Sequence, residues 1–332
     1  MREVEPSLLA EIRRAAFDLR AGDPQEAVRV LRRAAAGGGD AEVLARGALG
    51  EIYLEELGDL DGAEHEYRTV LKLAPGLAAA EIGLSRVLRA QGRQADAVAA
   101  LDRAIESLAG DASSFRESQP GGEPLPAGAE EVVLTLLESA ADRARLAKGP
   151  DDSTAALPPD VLGRIEDVAR WAARERLFDA LREEEDDPSE DWVRFHSLQA
   201  RLLGSAGRSG DAAEALARAE ADGQLPAAAA ARLRRDALED AGDLRGAAEQ
   251  ARRALDSGTP EPLDTLRAAA LTAAAGDEPG AAGILRSALS AAESRLGSAP
   301  ADEQVALQDS IRRYRDALAP EPGALVGLGV RR

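Results

Sequence analysis

The chain of 332 residues contains no cysteine. Disulfides, thiolate metal sites and cysteine nucleophiles are therefore excluded, and the absence fits the cytosol. Asparagine is missing as well, and Lys72 and Lys148 are the only lysines. Aromatic residues make up 3% of the chain, and Leu, Ile, Val and Phe together about a fifth. So little bulky apolar material, with no β-branched runs, cannot build a thick core or an extended sheet. No stretch approaches the ~20 apolar residues of a membrane helix. Residues 1–14 are charged throughout and lack the apolar segment of a secretory signal. These absences give an expectation of a cytoplasmic protein. The lack of Asn beside abundant Ala suggests a GC-rich bacterial genome.

What the chain has instead is alanine and acid. Its 45% hydrophobic content is largely Ala, the best helix former, which also lets helices approach closely. Sixty acidic residues against 41 basic ones leave a net charge of −19. A surface of that sign repels phosphate backbones, so nucleic acids and anionic membranes are disfavoured as partners. It speeds encounter with cationic partners, an effect that salt weakens.

A Gly-Asp or Gly-Arg pair followed by a small Ala recurs along the chain. Gly22-Asp23 leads to Ala27, Gly58-Asp59 to Ala63 and Gly92-Arg93 to Ala97. After a break, Gly207-Arg208 leads to Ala212, Gly242-Asp243 to Ala247 and Gly276-Asp277 to Ala281. The glycines step by 36 and 34 residues, then by 35 and 34. A fixed period in this range marks a helical solenoid, whose units bury their apolar faces only against their neighbours. Each unit reads as helix, tight turn, helix. In the second, Leu49, Gly50 and Tyr53 mark the first helix, and Ala63, Tyr67, Val70 and Leu71 the second, with Pro75 as the stop. Glycine suits the left-handed residue after a helix end, and Asp caps the next N-terminus. In the third, Leu84, Ser85, Leu88, Ala97, Leu101 and Ala104 repeat the stripe.

These units resemble the tetratricopeptide repeat, whose period is about 34 residues. The stretch from Leu49 through Gly58-Asp59 and Ala63 to Pro75 is the nearest match, and Gly92–Ala104, Gly242–Ala254 and Gly276–Ala288 follow it. The first unit fits less well, its stripe of Leu9, Ile12, Ala16 and Leu19 lying one residue out of register. The resemblance implies an all-α, right-handed α-solenoid of stacked antiparallel helix pairs, about seven units with an irregular middle.

Residues 1–110 are expected to form N-terminal repeats, and 111–128, with Pro120, Gly121, Gly122, Pro124 and Pro126, a flexible loop. A degenerate helical pair with an acidic end spans 129–190. Its helices are expected over 129–147, with Val133, Leu136, Leu137 and Ala140 on one stripe, and over 160–182. Residues 191–299 form C-terminal repeats, 300–318 a capping helix, and 319–332 a flexible tail.

No catalytic constellation stands out. His65 and His196 are far apart in sequence, and neither joins a metal-ligand pattern. The runs Gly37-Gly38-Gly39 and Gly121-Gly122 lack the strand-loop-helix context and the Lys-Ser/Thr of a phosphate loop. The reading is of a protein that is not an enzyme and needs neither metal nor cofactor. Trp171 and Trp192 flank the acidic run 183–187; packing of Trp192 with Phe195 and Leu198 is favoured over a role as a partner anchor.

The resemblance further implies a concave groove lined by the first helix of each unit. It places Glu51, Leu54 and Glu55 there from the second unit, and Ile82, Arg86 and Arg89 from the third. From the second half come Arg201, then Arg232, Asp236 and Glu239, with Leu263, Leu266 and Ala270 from the last unit. The clamp that some family members use for a C-terminal carboxylate relies on Lys and Asn. This chain has no Asn, and neither Lys falls on the groove. The expected function is a non-enzymatic scaffold or adaptor holding a protein or peptide segment in that groove. A self-assembling subunit, pairing through Leu8, Leu9 and Ile12 at the front, is the alternative; a small-molecule sensor ranks below both.

Overall fold

The computed structural model describes residues 23–118, 128–147, 157–179, 189–257 and 261–318. The described residues are helical, with no strand among them. They divide into two compact units, residues 1–177 and 178–332. In the first unit the helices are α1 (Pro24–Ala35), α2 (Gly39–Glu55), α3 (Leu60–Leu73), α4 (Ala78–Ala90), α5 (Gln94–Ser118), α6 (Ala129–Ala147) and α7 (Pro159–Arg174). A 3₁₀ turn, Leu177–Asp179, follows. In the second unit the helices are α8 (Ser189–Ser205), α9 (Ser209–Ala221), α10 (Ala227–Asp240), α11 (Leu244–Asp256), α12 (Pro262–Ala274), α13 (Glu278–Leu296) and α14 (Ala301–Ala317). Within each unit every helix packs on the next in sequence, which is the arrangement of an α-solenoid of antiparallel helix pairs.

The recurring sequence pair makes the turns. Gly58, Gly92, Gly207, Gly242 and Gly276 all have φ between 62° and 92°, the left-handed region that ends a helix without a Cβ clash. The next N–H reaches back five residues, as from Asp243 to the Leu238 carbonyl at 2.9 Å and from Asp277 to that of Thr272 at 3.0 Å. Where the second member is Asp, its carboxylate caps the following helix. Asp59 accepts from the Gly62 amide at 3.0 Å, and Asp243 and Asp277 accept from Gly246 and Gly280 at 2.9 Å. Where it is Arg, the side chain turns to an acid three residues on, Arg93 to Asp96 at 2.7 Å and Arg208 to Asp211 at 2.6 Å.

The alanine of each turn lies where two helices cross. Ala27, Ala63, Ala97, Ala212, Ala247 and Ala281 are all at 0% exposure. At these crossings the contact is only as deep as a methyl group. A large insertion between helices of the first unit is Tyr67. Its ring, carried by α3, lies against the bare backbone of Gly50 on α2 and Gly83 on α4.

Two expected boundaries differ. The loop expected from residue 111 begins later, because α5 runs on to Ser118. Its apolar stripe continues through Leu108, Ala109 and Ala112, all buried, so the helix has packing to follow past Gly110. The helix expected to reach residue 182 stops at Arg174, and Arg176 then takes a left-handed φ of 51°. Beyond that turn Leu177 and Phe178 are both buried, at 1% each. The irregular middle yields one helix pair, α6 and α7. Helix α7 is tied to α5 by Arg164, which donates to Glu106 at 2.9 and 2.7 Å. The last described helix, α14, buries Ile311, Tyr314 and Ala317. The stripe in residues 9–19, the acidic run 183–187 and the tail 319–332 lie outside the described residues.

Candidate functional site

In the first unit the first helices of successive pairs are α2, α4 and α6. On α2, Glu51 and Glu55 are exposed, whereas Leu54 is half-buried against the core. Arg86 on α4 reaches back to both acids. Its guanidinium donates to the two Glu51 oxygens at 2.9 and 3.0 Å and forms an ion pair with Glu55. Tyr67 joins the same network from behind, its hydroxyl donating to Glu51 at 2.8 Å. Burial, together with that bond to a carboxylate, pushes the Tyr67 phenol well above the usual tyrosine range. Burial opposes the Arg86 charge, but the bonds and attraction of Glu51 and Glu55 outweigh it and raise its pKa. Half-exposed pairs of this kind contribute about 0–1 kcal/mol each. Their effect here is to fix where charges stand, more than to hold the fold.

Arg86 is thus spoken for, while its neighbour one turn on, Arg89, is exposed and makes no ion pair among the described residues. Arg89 stands at the rim of a cavity of about 110 Å³ between α4 and α6. Ile82 and Ser85 of α4, Leu101 of α5 and Leu146 of α6 line it. Thr135, Glu138 and Asp142 of α6 form the facing wall, with Ser139 below them. Helix α6 is held in place by Arg143, donating to Asp102 of α5 at 2.9 Å, and by the Gln94 amide, donating to the Leu146 carbonyl at 2.5 Å.

The second unit treats the equivalent positions differently. Arg201 on α8 is exposed and makes no ion pair among the described residues. Between α10 and α12 the charges are closed on one another. Arg232 meets Asp264 at 2.8 Å, and Arg235, 5% exposed, meets Asp236 at 2.8 Å and Asp264 at 3.2 Å. Arg267 of α12 returns to Glu239 at 2.8 Å and Asp236 at 3.2 Å. Glu239 is itself buried, as are Leu266 and Ala270, so these three belong to the packing and not to an open lining. Leu263 is 67% exposed.

The tryptophans are structural. Trp171 and Trp192 are both buried. The Trp192 indole donates to Asp179 at 2.9 Å, and its ring packs edge-on against Phe178 and Phe195. His196 stacks on Trp192, with its nitrogens near Gln199 (3.3 Å) and Gln224 (3.1 Å). His65 is exposed on α3. Among the described residues no group of three or more His, Asp or Glu is arranged to hold a metal ion, and no helix is long and apolar enough to cross a membrane.

Sequence reasoning missed the α6 wall. Its signal was the face opposite the Val133, Leu136, Leu137 and Ala140 stripe, which assigns Thr135, Glu138 and Asp142 to the outside. Without a glycine-pair turn in that stretch, the repeat register could not be carried across. The cross-helix pair of the first unit had a signal too: Arg86 lies 35 residues from Glu51, one repeat.

A model of the tetratricopeptide repeat matches residues 18–78, 53–112 and 197–262. Among solved structures, the chain is similar to an assembly chaperone of RpL4, Acl4, at 18% identity and a TM-score of 0.44, covering 94% of this chain and 96% of that one. It is similar to PilW, a type IV pilus biogenesis factor, at 16% identity and a TM-score of 0.42, over 75% and 93% of the two chains. A tetratricopeptide repeat protein from Parabacteroides merdae is similar at 15% identity and a TM-score of 0.30, over 78% and 96%. No curated protein matches the chain. The matched segments take in the turns at Gly58, Gly92, Gly207 and Gly242 with the buried alanines that follow them, and the chain belongs to the tetratricopeptide-repeat family.

Proposed function

We propose that the chain is a non-enzymatic scaffold that holds a segment of a partner protein along α2, α4 and α6. The family membership makes it a protein-interaction scaffold in general terms. The observation that carries the finer reading is the cavity beside Arg89, an exposed arginine that makes no ion pair among the described residues. In the second unit Arg201 is likewise unpaired, while the charges between α10 and α12 are closed on one another. The first leaves Arg89 unmatched beside an open cavity. Binding sites keep such unspent polar groups next to apolar recesses, the first for orientation and the second for affinity. In this reading Glu51, Glu55 and Arg86 form a fixed charged ledge beside the recess.

The test is partner capture followed by hydrogen-exchange footprinting of the purified complex. Protection confined to α2, α4 and α6, and lost in Arg89→Glu, is the expected result. Arg89 is exposed, so this variant keeps the native melting temperature. Arg86→Glu is not an equivalent probe: it sets a third carboxylate beside Glu51 and Glu55 and lowers stability by about 1 kcal/mol. A footprint on other helices, unchanged by Arg89→Glu, rejects the groove. Concentration-dependent self-association with protection at a helix-pair end would assign the chain to self-assembly instead.

A further inference from the structure

Resting on the groove reading, we infer that the cavity between α4 and α6 takes one branched aliphatic side chain of the partner, and that a carboxylate adjacent to it in the partner's sequence pairs with Arg89. The size argument comes first. At about 110 Å³ the cavity exceeds a water site and is somewhat smaller than the ~150 Å³ apolar cavity that accepts benzene. A branched aliphatic group of leucine size fits within it. The chemistry of the walls agrees. Ile82, Leu101 and Leu146 supply the apolar surface, and Ser85 turns its hydroxyl away from the space, donating to the Ile82 carbonyl at 2.7 Å.

The rim then selects a sign. Of its charged side chains, Arg86 is saturated by Glu51 and Glu55, and Asp142 by Arg145 at 2.9 Å. Glu138 also has a partner. Arg89 alone among the described residues at this rim makes no ion pair. An incoming carboxylate therefore gains a partner at Arg89 without breaking one. An incoming ammonium must displace Arg145 from Asp142 or add to an acid already engaged. The net charge of −19 works against this preference at long range, but that field is screened beyond about 8 Å at physiological salt. The contact with Arg89 is not.

The experiment uses the full chain and two terminally blocked, fluorescein-labelled nonapeptide pools with all other positions randomised. One fixes Asp-Leu-Asp at its centre and the other Lys-Leu-Lys. Affinities at ~0.15 M salt are measured for the native chain and for Arg89→Glu, giving a cycle in which the long-range bias largely cancels. The expected result is a ratio of Asp-Leu-Asp to Lys-Leu-Lys affinity that falls by about tenfold on going to Arg89→Glu. Thr135→Leu, which fills the recess from the wall with a group of the size it accepts, should weaken both pools by tenfold or more with the melting temperature unchanged. A ratio that moves less than twofold overturns the pairing with Arg89. Pools that do not bind at all, or that bind Thr135→Leu as well as the native chain, overturn the subsite. These outcomes are separable from failure of the groove itself, which the footprint of a captured partner reads independently.

Discussion

At the scale of single residues, the first unit depends on a missing Cβ. The Tyr67 ring occupies the space that a side chain at residue 83 would need: a Cβ there would lie 2.3 Å from the ring carbon Cζ and 2.4 Å from Cε1. At Gly50 the same approach is 2.9 Å. Real contacts are never so short, so the ring or helix α4 must shift. Gly83→Ala is expected to lower stability by about 1–3 kcal/mol, despite the better helix propensity of Ala, and Gly50→Ala by less. Tyr67→Phe, which keeps the ring and removes the bond to Glu51, should cost about 0.5–1.5 kcal/mol. Denaturant melts of the three variants check the order. A second residue-scale effect concerns His196. Buried beside Trp192 and Phe195, its imidazole resists protonation, and burial lowers its pKa below the ordinary 6.5 in spite of Gln199 and Gln224. The unfolded chain takes up that proton near pH 6.5 and the folded chain does not. Stability from this site is therefore complete above pH 6.5 and is lost as pH falls toward the folded value, at up to about 1.4 kcal/mol per pH unit. Melting curves between pH 7 and 5 should show this slope for the native chain and a flatter one for His196→Gln.

At the scale of helices and turns, the regular repeats were legible and the middle was not. A Gly-Asp pair states its structure locally: the glycine takes the left-handed φ and the carboxylate caps the next amide. Both roles need only a few neighbouring residues, so Gly58-Asp59, Gly242-Asp243 and Gly276-Asp277 could be read without any tertiary information. Asp243→Ala removes the bond to the Gly246 amide and is expected to cost about 1 kcal/mol, measurable as a shift in urea midpoint at constant slope. The ends of α5 and α7 were misjudged because non-local packing decided them. Helix α5 outlasts Gly110 on the strength of buried Ala112, and α7 stops at Arg174, after which Arg176 turns left-handed and Leu177 and Phe178 are buried. The candidate site sits where these two kinds of information meet. Arg86 and Arg89 were placed by the repeat register, but the register does not say that Arg86 is taken by Glu51 and Glu55 and Arg89 is not. Nor does it give Thr135, Glu138 and Asp142, which face Arg89 only because α6 packs on α5 through Arg143 and Gln94. In the second unit the same register marked Glu239, Leu266 and Ala270 as lining, and burial removes them.

At the scale of the whole chain, what matters is that contacts run between neighbours. Within each unit each described helix packs on the next, with lesser contacts to the second neighbour. Ala-to-Ala crossings carry little energy apiece. Stability in such an array is a sum of local terms, so damage should stay local. Ala247, at 0% exposure, is packed with Ala248, Ala251, Ala268 and Leu271 in the second unit. Ala247→Leu overfills that crossing and is expected to cost about 1–3 kcal/mol. Native-state hydrogen exchange should show the loss in α10 to α12, with α2 to α5 retaining their protection; Gly83→Ala should give the reverse pattern. If either substitution lowers protection evenly over both units, the chain unfolds as one cooperative body and the nearest-neighbour account of it is wrong. If the losses stay separate, a partner bound along α2, α4 and α6 will stabilise those helices and leave α8 to α14 at their free-state protection. That restricted pattern would set it apart from a ligand that tightens the entire chain.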